Sequence, residues 1–313
     1  MTNANKLIVK RRIENKELRG FFHNSGIMFD DIVDYGSNLL EKCQVNFKFN
    51  EFHAPFQTMF IQFLSLIDGL SILIKQGHGD AIKPVLRSIL ELYLNLQFMI
   101  NNDFEDSCIA YQVVDAHERI KAYKKFSDTS KVGKEYRQIF RNVNLSIDSI
   151  KTEAPILNLE TLLKRGKYKD MNERYEELKK QRKKQKRKMG LKWYSVINQD
   201  IEGIRDLAKS LNRELYYEIF YKDFSNYSHG GNSLKRISVT YNKEAVLPHI
   251  RHFDDIPSNS NIAVDLAITL FEKMLELFNK EELREFWEWY NKKIAKPYKL
   301  LCHAEVTTDY QGK

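Results

Sequence analysis

Tyr217, Tyr221, Ser225 and His229 follow one another at steps of four and carry the groups in this chain best suited to chemistry. On a helix, side chains four apart stack along one face. The stripe therefore aligns two phenols, an alcohol and an imidazole beside an apolar flank of Phe220 and Phe224. Gly230-Gly231 follows directly and ends the helix. A histidine titrates near neutrality, as a general acid or base must, and a helix C-terminus favours its protonated ring. Ser225 and His229 on one helix lack the third group that orients a nucleophilic pair. The plainer alternative has His229 capping its helix.

A second polar pair, Arg87 and Glu91, lies far upstream with the same spacing, on a helical face shared with Leu94 and Phe98. Two charges planted in an apolar helix must pair, because an uncompensated buried charge costs several kcal/mol. One reading is an internal salt bridge that fixes helix packing. The other has Arg87 holding a phosphate or carboxylate in its planar fork, oriented by Glu91.

These residues need helices to hold them, and composition favours helix. Pro and Gly are few, 6 and 13 in 313 residues, while 19 Phe and 16 Tyr supply a sizeable core. Apolar periodicity predicts helices over Ile27–Leu40, Phe56–Lys75, Ala81–Ile100 and Asp106–Phe126. The third is apolar nearly all round, as a central helix is. Between Ser127 and Lys192 the periodicity weakens into charge, as in an insertion. It returns at Ile201, Ile204, Leu207 and Ala208, then over Leu215–His229. Ser238–Leu247 reads as an isolated extended piece. Ser260 is a plausible cap for a helix over Ile262–Phe278, and Glu281–Lys293 continues with Phe286, Trp287 and Tyr290. The expected fold is all-α: a multi-helix bundle with a charged helical insertion. Its segments are an N-terminal helical extension (1–50), the first half of the bundle (51–130), a basic insertion (131–192), the second half carrying the stripe (193–240), and C-terminal helices (258–313).

The formal net charge of +8 comes from one place. Lys179 to Lys188 holds eight basic residues and no acid, which leaves 42 basic against 42 acidic elsewhere (50 − 8 = 42). Such a run binds phosphate backbones through counterion release; RNA or another polyanion is the expected partner, with Lys183, Lys184 and Arg187 as contacts. The alternative is a solvated, partly helical protrusion. The three cysteines, Cys43, Cys108 and Cys302, are scattered and fit a reducing cytoplasm. No signal peptide is expected, nor an uncharged apolar run near the ~20 residues of a bilayer span. His249 and His252 lack a second ligand cluster, and no phosphate loop or His-Glu-x-x-His occurs. The sequence calls for no metal and no cofactor. A homo-oligomer or a protein partner stays open.

Three pieces in order, Leu86-Arg87-Ser88-Ile89-Leu90-Glu91, then Lys192-Trp193-Tyr194-Ser195 with Ile204-Arg205-Asp206-Leu207-Ala208, then Tyr221-x-x-x-Ser225-x-x-x-His229-Gly230, resemble a bacterial domain-of-unknown-function family (five-six-seven-seven). That family is similar in turn to a class of small helical nucleotide- and RNA-binding toxins of phage-defence loci. Many of that class cut RNA with an arginine and a histidine a few residues apart. Here no arginine stands at that spacing before His229, so the resemblance implies an arginine from another helix, and Arg87 is the candidate. The implied role is a cytoplasmic, RNA-directed defence or toxin-like effector, a metal-independent ribonuclease using Arg87, Glu91, Ser225 and His229, with Tyr221 on the substrate. The alternative is a non-enzymatic helical interaction protein in which the cluster is structural and Trp287, Trp289 and Tyr290 form an interface. A single site requires Arg87 and His229 to lie within about two helix diameters, roughly 20 Å.

Overall fold

The computed structural model describes residues 13–127, 129–142, 151–186, 190–230, 238–239, 245–246 and 253–306. Its elements are helical, as the composition predicts, apart from one two-residue antiparallel pair, Ser238–Val239 with Ala245–Val246. This pair falls within the segment read as extended. The chain divides into two units. One comprises residues 1–49, 56–100 and 208–313; the other comprises 50–55 and 101–207.

In the first unit, α1 (Lys16–Gln44) begins eleven residues before the periodicity suggested. Asn15 caps it by accepting from the backbone N–H of Glu17 and Leu18, satisfying donors that the helix itself leaves open. In α2 (Ala54–Lys75) Phe56, Phe60, Phe63, Ile67, Leu70 and Ile74 recur at alternating steps of four and three, and all are fully buried. That spacing keeps one stripe facing the core. Burial of each such side chain contributes about 1.5–3 kcal/mol. Gly77, at φ +65°, turns the chain into α3 (Gly79–Asn101), with His78 in the turn. Along α3, Leu86, Ile89, Leu90, Tyr93 and Leu94 are buried, as expected of a central helix.

The C-terminal part corrects one boundary. Ser260 is no cap: α12 (Ile256–Phe278) starts six residues before Ile262, with Pro257 in its first turn. Proline is pre-organised there because the first-turn N–H has no helical partner to lose. Ser260 sits buried inside the helix, its hydroxyl donating to the Ile256 carbonyl at 2.5 Å. After α13 (Leu283–Trp289), a π-helical turn over Tyr290–Ile294 leads into α14 (Ala295–Cys302). Trp289 stacks on Tyr35 of α1 at 4.1 Å, whereas Trp287 is exposed.

Helices α1, α2 and α12 approach closely at Gly36, where a Cβ would meet Leu64 at 2.5 Å and Phe271 at 2.7 Å. At the far end of α12, buried Asn279 donates to the Lys42 carbonyl at 2.8 Å and accepts from the Asn46 amide at 2.9 Å. Asn279→Ala removes both bonds and leaves a buried carbonyl unpaired, so about 1–3 kcal/mol of stability should be lost. Chemical denaturation measures this; a loss well under half a kcal/mol would show that the α1–α12 clasp contributes little.

The second unit contains α4 (Phe104–Lys124), α5 (Lys131–Asn142), α6 (Glu153–Leu162), α7 (Gly166–Lys184), α8 (Trp193–Ile197) and the start of α9 (Ile204–Ser210). Helix α4, grouped from sequence with the first half of the bundle, thus belongs with the 101–207 unit. Tyr168, Met171, Tyr175 and Leu178 bury one face of α7. The imidazole of His117 stacks on Tyr175 at 4.5 Å, which ties α7 to α4.

One segment, Glu51–Lys75, is long and apolar enough by composition to cross a membrane once Asp68 is tolerated as a single charge. This qualifies the sequence expectation. The buried phenylalanines of α2 turn inward to the core, as in a core helix of a water-exposed protein.

Candidate functional site

The stripe and the Arg87–Glu91 pair meet in the first unit. Their helix is not uniform: α10 (Glu214–Tyr216) passes through a π-helical turn over Tyr217–Tyr221 into α11 (Lys222–Ser228). A π-turn bonds i to i+5 and so inserts one residue into the helix; such turns are frequent at functional sites. Within it the Tyr217 and Tyr221 rings stack at 5.1 Å. His229 ends the helix, its N–H donating to the Ser225 carbonyl at 3.1 Å, and Gly230 follows at φ +72°. That is the left-handed stop a glycine makes readily.

Arg87 is the hub. Its Nε donates to Glu91 Oε1 at 3.1 Å and one terminal nitrogen donates to the Tyr221 hydroxyl at 3.2 Å. That hydroxyl donates in turn to Glu91 Oε1 at 2.8 Å, closing a triangle. The other terminal nitrogen lies 3.4 Å from His229 Nε2, well inside the distance a single site requires. The guanidinium also sits 5.2 Å over the Tyr221 ring.

Charge follows geometry. Burial works against the Arg87 cation, but Tyr221 and Glu91 outweigh it and raise its pKa above the ordinary value. Burial pushes the Tyr221 phenol up, and its bond to Glu91 pushes the same way, against Arg87. A guanidinium can only donate. Nε2 of His229 must therefore present its lone pair, so the imidazole making this contact is neutral with its proton on Nδ1. That is the tautomer and the nitrogen a general base needs.

Exposure separates the members. Arg87 and Tyr221 are half-buried, while His229 opens to solvent. Ser225 is half-buried, and its hydroxyl makes no hydrogen bond among the described residues. Lys183 and Lys184 stand exposed at the end of α7. They belong to the other unit and are described with it below. Arg187, His249 and His252 lie outside the described residues. No group of three or more metal-ligating side chains occurs among the described residues.

Sequence reasoning missed a second network in the same unit. Arg213 donates from Nε to the Tyr93 hydroxyl at 3.1 Å, and the Tyr216 hydroxyl donates to Asp265 of α12 at 2.5 Å. The Arg213 guanidinium lies 5.3 Å over the Tyr216 ring. Burial, reinforced by the bond to Asp265, pushes the Tyr216 phenol far up. Two signals were legible. Arg213 stands four residues before Tyr217, and Asp265 is the one charged residue between Ile256 and Phe271. Lys83 was missed as well: one turn before Arg87, its ammonium lies 5.2 Å over the Tyr227 ring and 3.0 Å from Asp255.

The fold and the cluster define an all-helical protein in which an arginine and a solvent-exposed histidine from distant helices are held side by side. The chain belongs to a family of unknown function, DUF5677, whose model matches residues 53–245. That span contains Arg87, Glu91, Tyr221, Ser225 and His229. No curated protein and no solved structure matches the chain.

Proposed function

We propose that the chain is a cytoplasmic, RNA-directed effector of the defence or toxin type that cleaves RNA without a metal. The observation that carries this reading is the 3.4 Å approach of Arg87 to His229 Nε2, with the imidazole open to solvent. In the proposed step, His229 Nε2 takes the proton of a ribose 2′-hydroxyl. The 2′-oxygen attacks the adjacent phosphorus, the bond to the 5′-oxygen breaks, and that oxygen takes a proton from solvent. Arg87 stabilises the charge that grows on the phosphate. Glu91 and Tyr221 fix the guanidinium, and Ser225, free to donate, contacts substrate or ring. The exposed lysines of α7, Lys183 and Lys184 among them, hold RNA electrostatically.

Purified protein should cut some transfer, ribosomal or messenger RNA in the presence of chelator and leave 2′,3′-cyclic ends. The matching DNA should stay intact, because it has no 2′-hydroxyl. A broad panel left uncut, or DNA cut equally, refutes the reading. Deleting Lys179 to Lys188 should weaken RNA association and flatten its salt dependence while residual cleavage persists.

A second reading is favoured by the closure of the Arg87–Glu91–Tyr221 triangle, which satisfies its members without a ligand. In that reading the cluster is a structural network in an interaction protein. Arg87→Ala and His229→Ala should then lower the melting temperature markedly; if both variants melt with the parent, the network explanation fails.

A further inference from the structure

The basic end of α7 borders a cavity. Among the described residues of the run, Lys180, Lys183, Lys184 and Lys186 have no acidic partner, whereas Lys179 pairs with Glu176 at 2.9 Å. The helix ends there: Gln185 caps it and Lys186 turns away at φ 54°. Within the same unit, α7, α8 and the loop after α8 enclose a cavity of about 140 Å³. Leu178 and Leu191 form apolar walls, and Gln181, Gln185, Gln199 and Asp200 supply polar edges. The floor is rigid, since buried Ser195 donates to the Ile201 carbonyl at 2.5 Å.

Size and chemistry limit the occupant. Pockets for drug-sized ligands run from about 300 Å³ upward, whereas a cavity of about 150 Å³ takes one benzene-sized ring. A single six-membered ring fits and a fused purine does not. Gln181 spends its amide on Glu177 at 3.3 Å. The side chains of Gln185, Gln199 and Asp200 make no hydrogen bond among the described residues. Two free amides offer both donors and acceptors, and a carboxylate accepts from the amino group of cytosine. Apolar walls sandwich a ring whose edge those groups read, and the lysines beside the mouth attract the phosphates joined to it.

We propose that this cavity is a subsite for one unstacked pyrimidine base of a single-stranded RNA held along the basic end of α7. The inference rests on the RNA-directed reading and adds a base preference to it.

The test is fluorescence anisotropy of the full chain with labelled 2′-O-methyl dodecamers of cytidine or adenosine, which the proposed chemistry cannot cut. The cytidine strand should bind on the order of 10-fold more tightly, the range of one stacked and bonded base. Gln199→Trp, at an exposed position, fills the cavity and should bring the two affinities together. Lys183→Ala with Lys184→Ala should weaken both strands equally and reduce the salt dependence. Equal affinities in the parent, or a preference that survives Gln199→Trp, overturns the subsite and leaves electrostatic RNA binding standing. If neither strand binds at low salt, the subsite falls together with the RNA-directed reading.

Discussion

His229→Ala should leave the chain folded and remove RNA cleavage. The side chain is exposed and its one side-chain contact is to Arg87, so its loss opens no cavity in the core. A positioned acid or base is worth about 10²–10⁴ in rate, and the variant should fall by at least that factor. Arg87→Lys tests the partner. It keeps the charge but loses the planar fork that now reaches Glu91, Tyr221 and His229 together. Loss of an oriented donor to developing charge costs about 10²–10³ in rate. Both variants should give parental circular dichroism and melting curves alongside these losses. Cleavage by His229→Ala at the parental rate would remove the imidazole from the mechanism, whatever the other variant did.

Deleting Ile219 should be as damaging, without touching a functional group. Ile219 lies on the exposed side of the π-turn, so its removal leaves no void. Without it the turn reverts to α-helix, and one residue fewer rotates everything beyond by about 100° and shifts it by about 1.5 Å. Two sets of anchors then compete. Upstream, Arg213 holds Tyr93 and Tyr216 holds Asp265. Downstream, Tyr221 holds Glu91 and His229 meets Arg87. An unbroken α-helix cannot satisfy both. The tertiary set on α12 keeps its hold, His229 swings off α3, and cleavage should drop to the level of His229→Ala with helix content unchanged. Ile219→Ala keeps the residue count and should cut like the parent. A deletion variant that cuts normally would mean that the π-turn does not set the site.

Much of the site could be read locally. Steps of four put Tyr217, Tyr221, Ser225 and His229 on one face and Arg87 beside Glu91, because i,i+4 geometry belongs to the helix itself. The helix stop at Gly230 is equally local, a matter of one glycine's freedom at positive φ. The all-helical class followed from composition and from the periodicity of α2 and α3. So did the family, through the same ordered pieces.

What sequence reading did not reach is everything decided by contact between distant segments. Helix α1 begins at Lys16 because Asn15 can cap it, a matter of one side chain rather than of apolar spacing. Ser260 lies inside α12 because Asp255 and Pro257 start the helix first. The π-turn is invisible to a search at period 3.6: nothing in Tyr217–Tyr221 marks the added residue, and the anchors on either side impose it. The network through Tyr93, Arg213, Tyr216 and Asp265 needed three helices in place before its members met. Sequence alone therefore determined which side chains share a helical face. Only the tertiary structure decided that Arg87 and His229, 142 positions apart, lie within 3.4 Å and that Ser225 stays unbonded. The physical reason is range: backbone hydrogen bonds set relations over four or five residues, while the meeting of two helices depends on how their buried faces fill space against all the others.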